Sequence, residues 1–363
     1  MKIVFVGQKG VPAKFGGIER HVEELGWRLA ERGHSVIVYS RRHYNCFSGI
    51  YRNMRVVSLP AIKQKHTEMI SHTFLSLFDL LDKKVDIIHI HGVDPALISF
   101  IPRLKTKVVV TSHDRAYRRE KWGPIAKKFS RMAERVFIVS PHKKIVVSQT
   151  LKKYYEEKYD CEVVYIPNGV EIPKEQGSAE LGKFGLSKGE YFLFVGRIVP
   201  TKGCEILIEA FKRMKTDKKL VFAGGSSYTD SYYERLRRKA DKRVLFLGYR
   251  YGKELAQLYA NAYCFVMPSE VEGLALTLLE AMSYKRCVIY SDIPENVEAA
   301  RDAGIAFRNK DVDDLAAKID LALQNPSLCR ELGAKARKRV ENEYDWDRVV
   351  DQTEELYQTL LEE

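Results

Sequence analysis

Residues 264–282 read CFVMPSEVEGLALTLLEAM, and they contain the clearest indication of the fold class. Its first four residues form an apolar run with the length of a buried strand. A polar loop with a glycine at position 273 follows, and residues 274–282 are predominantly apolar, as in a helix that packs on a sheet. A strand, a short loop and a helix in this order make one βα unit of a parallel sheet.

The same alternation extends in both directions from this unit. Apolar runs predict further strands, at residues 2–6, 35–40, 56–59, 85–90, 107–111, 135–139, 163–166, 191–195, 220–223, 244–247 and 287–290. The segments between and after them predict helices, at residues 18–32, 68–81, 203–214, 232–240, 254–260, 313–323, 327–341 and 345–361. Such buried strands belong to parallel sheets that helices cover on both faces.

The length indicates that these strands and helices form two domains, because 363 residues are too many for one ordinary domain. Residues 167–169 (PNG) are a turn signal, and residues 173–189 have the composition of a linker. We therefore predict an α/β fold with two doubly wound domains, residues 1–167 and 168–344, and a last helix at residues 345–363. Two such domains facing each other imply a cleft, with ligands at the carboxyl ends of the strands.

The composition excludes several classes of protein. With 45% hydrophobic and 30% charged residues, the chain is not disordered, collagen-like or a coiled coil. No apolar run approaches the ~20 residues of a membrane span, and the first residues lack the long apolar region and cleavage site of a signal peptide. The six cysteines form no C-x-x-C pair, so zinc or thioredoxin motifs are not indicated and reduced thiols in a cytosolic protein are expected.

Positive charge is concentrated in the first domain. The whole chain carries +12, whereas residues 1–167 hold 30 basic and 16 acidic residues and residues 168–363 hold 30 and 32. Residues 114–153 alone hold 12 basic and 3 acidic residues, interspersed with Trp122, Pro124, Ile125 and Phe129. This mixture fits an anionic membrane surface, and a solvated helix face fits it equally well. Nucleic acid is a weaker alternative, because no nucleic-acid motif accompanies the charge.

Two loops have the composition of phosphate sites. The loop after the first strand, residues 7–19 (GQKGVPAKFGGIE), matches neither a dinucleotide fingerprint nor a P-loop, but Gly16 and Gly17 would let a ligand approach the backbone closely. The loop at residues 196–203 (GRIVPTKG) places Arg197 and Lys202 just before a helix. Cations beside a helix N-terminus suit a diphosphate.

The loop and helix after residue 267 hold two glutamates. Glu272 lies at the mouth of the loop, and Glu280 lies eight residues on, in an apolar helix. A carboxylate there is costly to bury unless it binds something, and a ribose diol is a suitable partner. The amides at the helix start would point at a diphosphate, and they belong to Gly273, Leu274, Ala275 and Leu276. In the first domain, His113 follows the strand at residues 107–111, where a structural and a functional histidine are both plausible.

Together these motifs resemble the retaining GT-B glycosyltransferases of family 4, over essentially the whole chain. SEVEGLALTLLEAM (269–282) resembles the signature of two glutamates, Glu272 and Glu280, and GRIVPTKG resembles the diphosphate-binding segment. FGGIERHV (15–22), PNGV (167–170) and YDWDRVV (344–350) resemble the first glycine loop, the entry to the second domain and the helix that crosses back to the first. HDRAYRREKWG (113–123) is similar to a segment of bacterial rhamnosyltransferase-like members, which build cell-surface polysaccharides.

The resemblance implies two Rossmann-like domains across a cleft, an acceptor-binding first and a nucleotide-sugar-binding second, with the C-terminal helix packing back on the first. The expected reaction is metal-independent transfer, with retention, from a UDP-sugar, or next a GDP-sugar, to a lipid-linked or cell-surface glycan acceptor. No cofactor is expected. The enzyme is expected in the cytoplasm, peripheral on the inner face of the cell membrane.

The same resemblance assigns roles to residues. Arg197 and Lys202 stabilise the leaving diphosphate, Glu272 lies near the donor sugar, Glu280 binds the ribose and His113 holds a sugar hydroxyl or orders the acceptor. Donor contacts are also expected from Gly16, Gly17, Tyr249 and the amides of residues 273–276. Ala275 and Lys285 depart from the family, because glycine is usual at both positions.

Three other functions fit parts of the same sequence. A nucleotide-sugar epimerase of similar architecture would use the same donor without an acceptor. A non-catalytic, membrane-associated binding protein would need none of the charged residues at 197, 202, 272 and 280, all of which are present. A nucleic-acid binder rests on the basic charge alone.

Overall fold

The structure, a computed structural model, describes residues 1–14, 16–62, 64, 67–114, 124–226 and 230–363, without the side chains of residues 124–127 and 230. It divides into two compact units. Unit 1 comprises Met1–Gly169 together with Trp346–Glu363, and unit 2 comprises Val170–Asp345. Part of the basic segment, residues 115–123 with Trp122, lies outside the described residues, as do Phe15 and the side chains of Pro124 and Ile125.

In the described residues, unit 1 has an eight-stranded sheet. Its strands are β1 (Lys2–Val6), β2 (Ser35–Arg41), β3 (Gly49–Tyr51), β4 (Met54–Leu59), β5 (Ile87–His91), β6 (Lys107–Ser112), β7 (Lys143–Val146) and β8 (Val164–Tyr165). They lie in the order β3-β4-β2-β1-β5-β6-β7-β8, and all neighbours are parallel except β3 and β4. The direction of winding reverses between β1 and β5.

Helices are numbered along the whole chain. Those of unit 1 are α1 (Gly17–Glu31), α2 (Glu68–Asp79), α3 (Phe100–Arg103), α4 (Pro124–Val139), α5 (Gln149–Tyr159) and α13 (Trp346–Glu362). The last of these follows unit 2 in the sequence, yet it packs on α1. Trp346, Tyr357 and Leu360 of α13 are buried in one core with Phe5 and Val38 of the sheet.

Unit 2 repeats the doubly wound pattern with parallel strands. They are β9 (Tyr191–Val195), β10 (Lys219–Ala223), β11 (Val244–Gly248), β12 (Cys264–Met267), β13 (Cys287–Ser291) and β14 (Ile305–Phe307), in the order β11-β10-β9-β12-β13-β14. The helices are α6 (Cys204–Lys212), α7 (Asp230–Lys239), α8 (Gly252–Asn261), α9 (Leu276–Ser283), α10 (Pro294–Ala300), α11 (Val312–Gln324) and α12 (Pro326–Glu343). Two α/β units with parallel sheets confirm the predicted fold class.

One predicted strand is wrong. Residues 135–139 (RVFIV) form the end of α4, and the strand that follows is β7. Ala133 and Phe137, four residues apart, are fully buried, whereas Val139 is 74% exposed. This is the one-sided burial of a helix, which a run of five residues alone does not distinguish from a strand.

The predicted linker at residues 173–189 is also wrong, because the segment folds as part of unit 2. It contains a short 3₁₀ helix, Ala179–Phe184, and it buries Leu181 and Leu186. The backbone N–H of Glu180 donates to Gln257 Oε1 of α8 over 2.7 Å. The buried leucines therefore anchor a stretch whose glycines and lysines suggested a linker.

None of the helices in the described part of the chain is both long and apolar enough to cross a bilayer.

Candidate functional site

The sheet of unit 2 has its switch point between β9 and β12. From β9 the winding proceeds through β10 to β11 in one direction and through β12, β13 and β14 in the other. The loops after β9 and β12 therefore diverge at the carboxyl edge, and the crevice between them is where doubly wound sheets bind ligands. The two predicted charged segments, residues 196–203 and 269–275, are these two loops.

The two loops approach each other closely because one of them contains a glycine in the left-handed region. Gly203 has φ +65°, and a Cβ there would lie 2.0 Å from the carbonyl oxygen of Pro268. The amide of Glu270 also donates to the carbonyl of Thr201 over 2.9 Å. A side chain at position 203 would therefore force the two loops apart, which explains the glycine.

Lys202 and Glu272 form an ion pair across this crevice. Their side chains are 18% and 10% exposed, so both charges are largely withdrawn from water. The Arg197 side chain is exposed and takes part in none of the ion pairs found among the described residues. The structure thus pairs a shielded cation with a carboxylate in the crevice, and exposed Arg197 belongs to the same loop as Lys202.

Helix α9 begins beside this ion pair. Its N-cap is Ala275, and in the described part of the chain no side chain accepts a hydrogen bond at that cap. Ala275 has φ −74°, an ordinary value, so the departure from glycine introduces no backbone strain there. Gly273, Leu274 and Ala275 are buried and Leu276 is half-buried, and the contact of their amides with an anion stays a prediction.

Glu280 lies in the second turn of α9 and is held by a residue that the sequence did not indicate. The buried hydroxyl of Tyr259 in α8 donates to Glu280 Oε2 over 2.8 Å. Burial, reinforced by the Glu280 charge, raises the pKa of Tyr259 well above its usual range, so the phenol stays protonated and remains a donor. The hydrogen bond offsets part of the cost of keeping a carboxylate in an apolar helix.

Tyr249 follows the edge strand β11 and is linked to the Arg197 loop through one carbonyl. Its hydroxyl donates to the carbonyl of Gly225 over 3.1 Å, and the amide of Ile198 donates to the same oxygen over 2.9 Å. A Cβ at Gly225 would lie 2.7 Å from the Tyr249 ring. Tyr249 therefore supports the loop that carries Arg197, while its contact with a donor stays a prediction.

In unit 1, the glycine loop is fixed by the first turns of α1. Gly16 has φ +108°, and a Cβ there would lie 1.9 Å from Glu19 Oε2. Glu19 accepts from the amide of Lys9 over 2.9 Å, and Glu23 accepts from the amide of Ala13 over 2.7 Å. Glycine at position 16 thus has a reason inside the fold, in addition to the ligand approach that the sequence suggested for Gly16 and Gly17.

His113 is not isolated, as the sequence suggested, but belongs to a cluster of buried histidines. His113 Nε2 lies 3.2 Å from His91 Nδ1, and the rings of His21 and His113 are 5.0 Å apart. These three imidazoles each offer a nitrogen within 4.8 Å of the others, a set that could hold a metal ion. Burial lowers the pKa of His21 and of His91 well below the usual range, which keeps both rings neutral.

His89, two residues before His91 in β5, extends the cluster toward α13. His89 Nδ1 lies 2.5 Å from the Tyr357 hydroxyl, and its Nε2 lies 2.6 Å from Thr111 Oγ1. The His89 and His91 rings stack at 4.1 Å. Strand β5 has histidines at alternate positions, His89 and His91, and His113 follows the neighbouring strand β6. This pattern was the signal in the sequence for the cluster.

The chain matches two protein-family models that together cover most of it. Residues 15–173 match Glycosyltransferase Family 4, and residues 179–339 match Glycosyl transferases group 1. O-antigen chain mannosyltransferase C of Escherichia coli is 24% identical over 376 aligned positions, covering 100% of this chain and 99% of that protein.

Solved structures show the same fold. Sucrose-phosphate synthase from Thermosynechococcus elongatus superposes with a TM-score of 0.86 at 22% identity, covering 99% of this chain and 98% of that one. Anabaena HepE in complex with UDP and glucose superposes with a TM-score of 0.82 at 17% identity, covering 99% and 100%. At sequence identities this low, the similarity to these structures shows the fold alone.

Proposed function

Because the chain carries a Glycosyltransferase Family 4 domain followed by a Glycosyl transferases group 1 domain, it belongs to the GT-B glycosyltransferases, and we propose that it transfers a sugar with retention of anomeric configuration. The donor is a nucleotide diphosphate sugar, with a UDP-sugar as first candidate and a GDP-sugar as second. The acceptor is a lipid-linked or cell-surface glycan. The observation that carries the proposal is the Lys202–Glu272 pair at the switch point, with exposed Arg197 earlier in the same loop as Lys202.

These residues match two groups of such a donor, the diphosphate and the ribose. The diphosphate, with its negative charge, suits Arg197, Lys202 and the N-terminus of α9. The ribose diol suits the carboxylate of Glu280, which Tyr259 orients. The similar Anabaena protein was solved with UDP and glucose bound, which supports testing UDP first. The similar Escherichia coli protein is an O-antigen chain mannosyltransferase, which supports a surface-polysaccharide acceptor.

The reaction breaks the bond between the anomeric carbon and the β-phosphate oxygen, and it forms a bond from that carbon to an acceptor hydroxyl oxygen. Negative charge grows on the leaving diphosphate, where Lys202 and Arg197 stabilise it. Fixed charges aimed at such a group often contribute more to catalysis than any other single effect. The acceptor proton passes to the departing phosphate, so no side chain is assigned as general base.

Two cations and a helix N-terminus supply the charge stabilisation for which many transferases use a divalent metal, so we propose metal-independent transfer. Glu272, held by Lys202, is proposed to contact the donor sugar. The histidine cluster of unit 1, with His113, is proposed to hydrogen-bond a substrate hydroxyl. Burial lowers the pKa of His21 and of His91, and a neutral imidazole can both donate and accept.

An anionic membrane is the proposed location of the acceptor. The described exposed face of α4 carries the basic residues Lys128, Arg131 and Arg135 beside Met132 and Val139, which are 49% and 74% exposed. An open depression in unit 1 is lined by Arg131, Arg135, Lys158 and Tyr159. Basic side chains around exposed apolar ones fit the headgroup region, with the enzyme on the cytoplasmic side of the cell membrane.

The test is thermal unfolding of the full chain with UDP, GDP, dTDP and their common sugar conjugates, in EDTA and then in magnesium. A ligand at 100 times its dissociation constant adds about 2.7 kcal/mol of stability. We expect one nucleotide to stabilise the chain in EDTA and to lose its effect in Lys202→Ala and Glu280→Ala. No stabilisation of a folded sample by any nucleotide, in either buffer, would overturn the donor site. A response that needs magnesium would overturn metal independence.

A further inference from the structure

Three cysteines of unit 2 meet at the end of the sheet opposite the proposed donor site. Cys264 and Cys287 are the first residues of β12 and β13 and are paired in register, so their side chains share one face. Cys329 of α12 covers them, with its Sγ 3.8 Å from the Sγ of Cys264. All three sulfur atoms lie within 4.8 Å of one another.

The transfer chemistry uses none of these thiols. Arg197 and Glu272 lie in loops at the carboxyl edge, whereas Cys264 and Cys287 begin their strands at the amino edge. The exposures of Cys264, Cys287 and Cys329 are 0%, 2% and 6%, and none of the three forms a disulfide. The cluster therefore needs an explanation of its own.

We propose that Cys264, Cys287 and Cys329 bind one thiophilic metal ion as thiolates, at a site independent of sugar transfer. A metal–sulfur bond of about 2.3 Å implies sulfur separations of about 3.8 Å in a tetrahedral site and about 4.0 Å in a trigonal one. The observed 3.8 Å between Cys264 and Cys329 matches this spacing without movement of either residue. Soft thiolate ligands select Zn²⁺ and Cu⁺ among biological metals.

Positive charge lies at the same edge of the sheet, where it would stabilise thiolates bound to a metal. The Arg286 guanidinium donates to the carbonyls of Ala262 and Tyr284 over 3.0 and 2.9 Å, just before β12 and β13 begin. Cys329 lies in the first turn of α12, where the helix dipole favours an anion.

The most exposed of the three cysteines, Cys329 at 6%, lies at the start of α12. Asn325 alone connects α11 to α12, and Cys329 follows four residues later. Opening the first turn of α12 would expose the three sulfurs together. The contrasting explanation is that the cysteines are small apolar core residues, which predicts no stoichiometric binding of metal.

The experiment titrates the full chain, reduced and freed of metal, with Cd²⁺ while the ultraviolet sulfur-to-cadmium charge-transfer band is recorded. We expect one Cd²⁺ per chain, displaced by Zn²⁺ or Cu⁺. Cys329→Ala is expected to lower the affinity at least about a hundredfold, since each thiolate carries a large share of such binding. Cys204→Ala is the matched control, because Cys204 is fully buried in the same core but outside the cluster.

Absence of a stoichiometric band in the unchanged protein overturns the proposal, and so does binding that survives Cys329→Ala. Should that variant not fold, Cys287→Ala replaces it, and protection of the three thiols from alkylation by Zn²⁺ is measured on the unchanged chain. Stabilisation by the nucleotide is expected to persist in Cys329→Ala. Failure of the metal site is therefore distinguishable from failure of the donor site.

Discussion

The hydroxyl of Tyr259 lies 2.8 Å from Glu280 Oε2 and joins α8 to α9 in the interior of unit 2. The Tyr259 ring in turn stacks on Tyr284 at 5.5 Å, nearly parallel. The orientation of the proposed ribose-binding carboxylate is therefore set from the interior, by one ring of an aromatic pair. Tyr259 is a positioning residue, and its effect on the donor passes through Glu280.

Replacing Tyr259 with Phe should weaken nucleotide binding without unfolding the chain. Loss of one net hydrogen bond, about 0.5–1.5 kcal/mol, predicts an increase of roughly 3–10-fold in the dissociation constant for UDP, or for GDP if GDP is the responder. Calorimetric titration measures this change. Tyr191→Phe is the control, because the buried Tyr191 hydroxyl donates to the Leu258 carbonyl over 2.7 Å, away from Glu280. Equal weakening in both variants would contradict a positioning role.

Removal of the Lys202 charge should lower the transfer rate far more than removal of a neighbouring lysine. Lys202→Ala is expected to reduce kcat by about 10²–10³, by analogy with the loss of one preorganised donor. Lys310→Ala is the matched control. Lys310 pairs at 2.8 Å with Glu270, in the loop that also carries Glu272, but the Lys310 side chain is 60% exposed. Release of nucleotide from the sugar donor in the presence of acceptor extract measures the rate. Similar losses in the two variants would argue against a specific role for Lys202.

Charge reversal on α4 should release the protein from anionic vesicles. Each basic residue near such a surface contributes about 1 kcal/mol, so Arg131→Glu with Arg135→Glu should weaken binding at least about thirtyfold. Co-sedimentation with vesicles containing phosphatidylglycerol measures binding. Lys152→Glu with Lys153→Glu, on the neighbouring α5, is the control of equal charge change. Unchanged sedimentation of the α4 variant would show that the basic face of α4 is a solvated helix face and does not bind the membrane.

Unit 2 should be less stable with Lys285 than with glycine, the residue that is usual at this position. Its φ is +58°, in the left-handed region, which costs a residue with a Cβ about 1–2 kcal/mol. After the larger unfolded-state entropy of glycine is subtracted, Lys285→Gly should stabilise unit 2 by about 0.5–1 kcal/mol. Lys188→Gly, in an exposed turn without a positive φ, should destabilise it instead. Thermal unfolding of both variants tests the difference in sign.

Acidification should destabilise unit 1 through His72. Burial, together with the charge of Arg41, lowers the pKa of His72 to about 4, below its ordinary value of 6.5. Between these two values the unfolded chain binds a proton that the folded chain does not, so stability falls as the pH drops through this window. The loss amounts to about 3 kcal/mol at most. Unfolding at pH 7.5 and pH 4.5 should show a smaller loss in His72→Gln, and equal losses would contradict the assignment.

Much of the crevice in unit 2 is local in the sequence, which is why it was predictable. Arg197 and Lys202 follow one strand, and Glu272 follows another, so strand prediction alone placed them at the carboxyl edge. The pairing of Lys202 with Glu272 depends on β9 and β12 being neighbours, which the winding rule implies. The resemblance to a known family supplied the roles, which the pattern alone did not.

The residues that were missed depend on tertiary proximity. Tyr259 and Glu280 belong to different helices, and His21, His91 and His113 come from three separate elements. α5 was not predicted because QTLKKYYEEKY has few apolar residues, although Leu151 and Tyr155 anchor it. The strands β3, β7 and β14 have three or four residues each, too few for a pattern to repeat.

The position of α13 determines when unit 1 can become complete during synthesis. All strands and helices of unit 2 leave the ribosome before Trp346 does, so unit 2 can reach its final fold while unit 1 still lacks a helix. Until α13 packs against unit 1, the apolar side chains that form one core with Tyr357 and Leu360 in the final fold would be exposed. Unit 1 of a nascent chain therefore stays partly open until residues 346–363 have been synthesised.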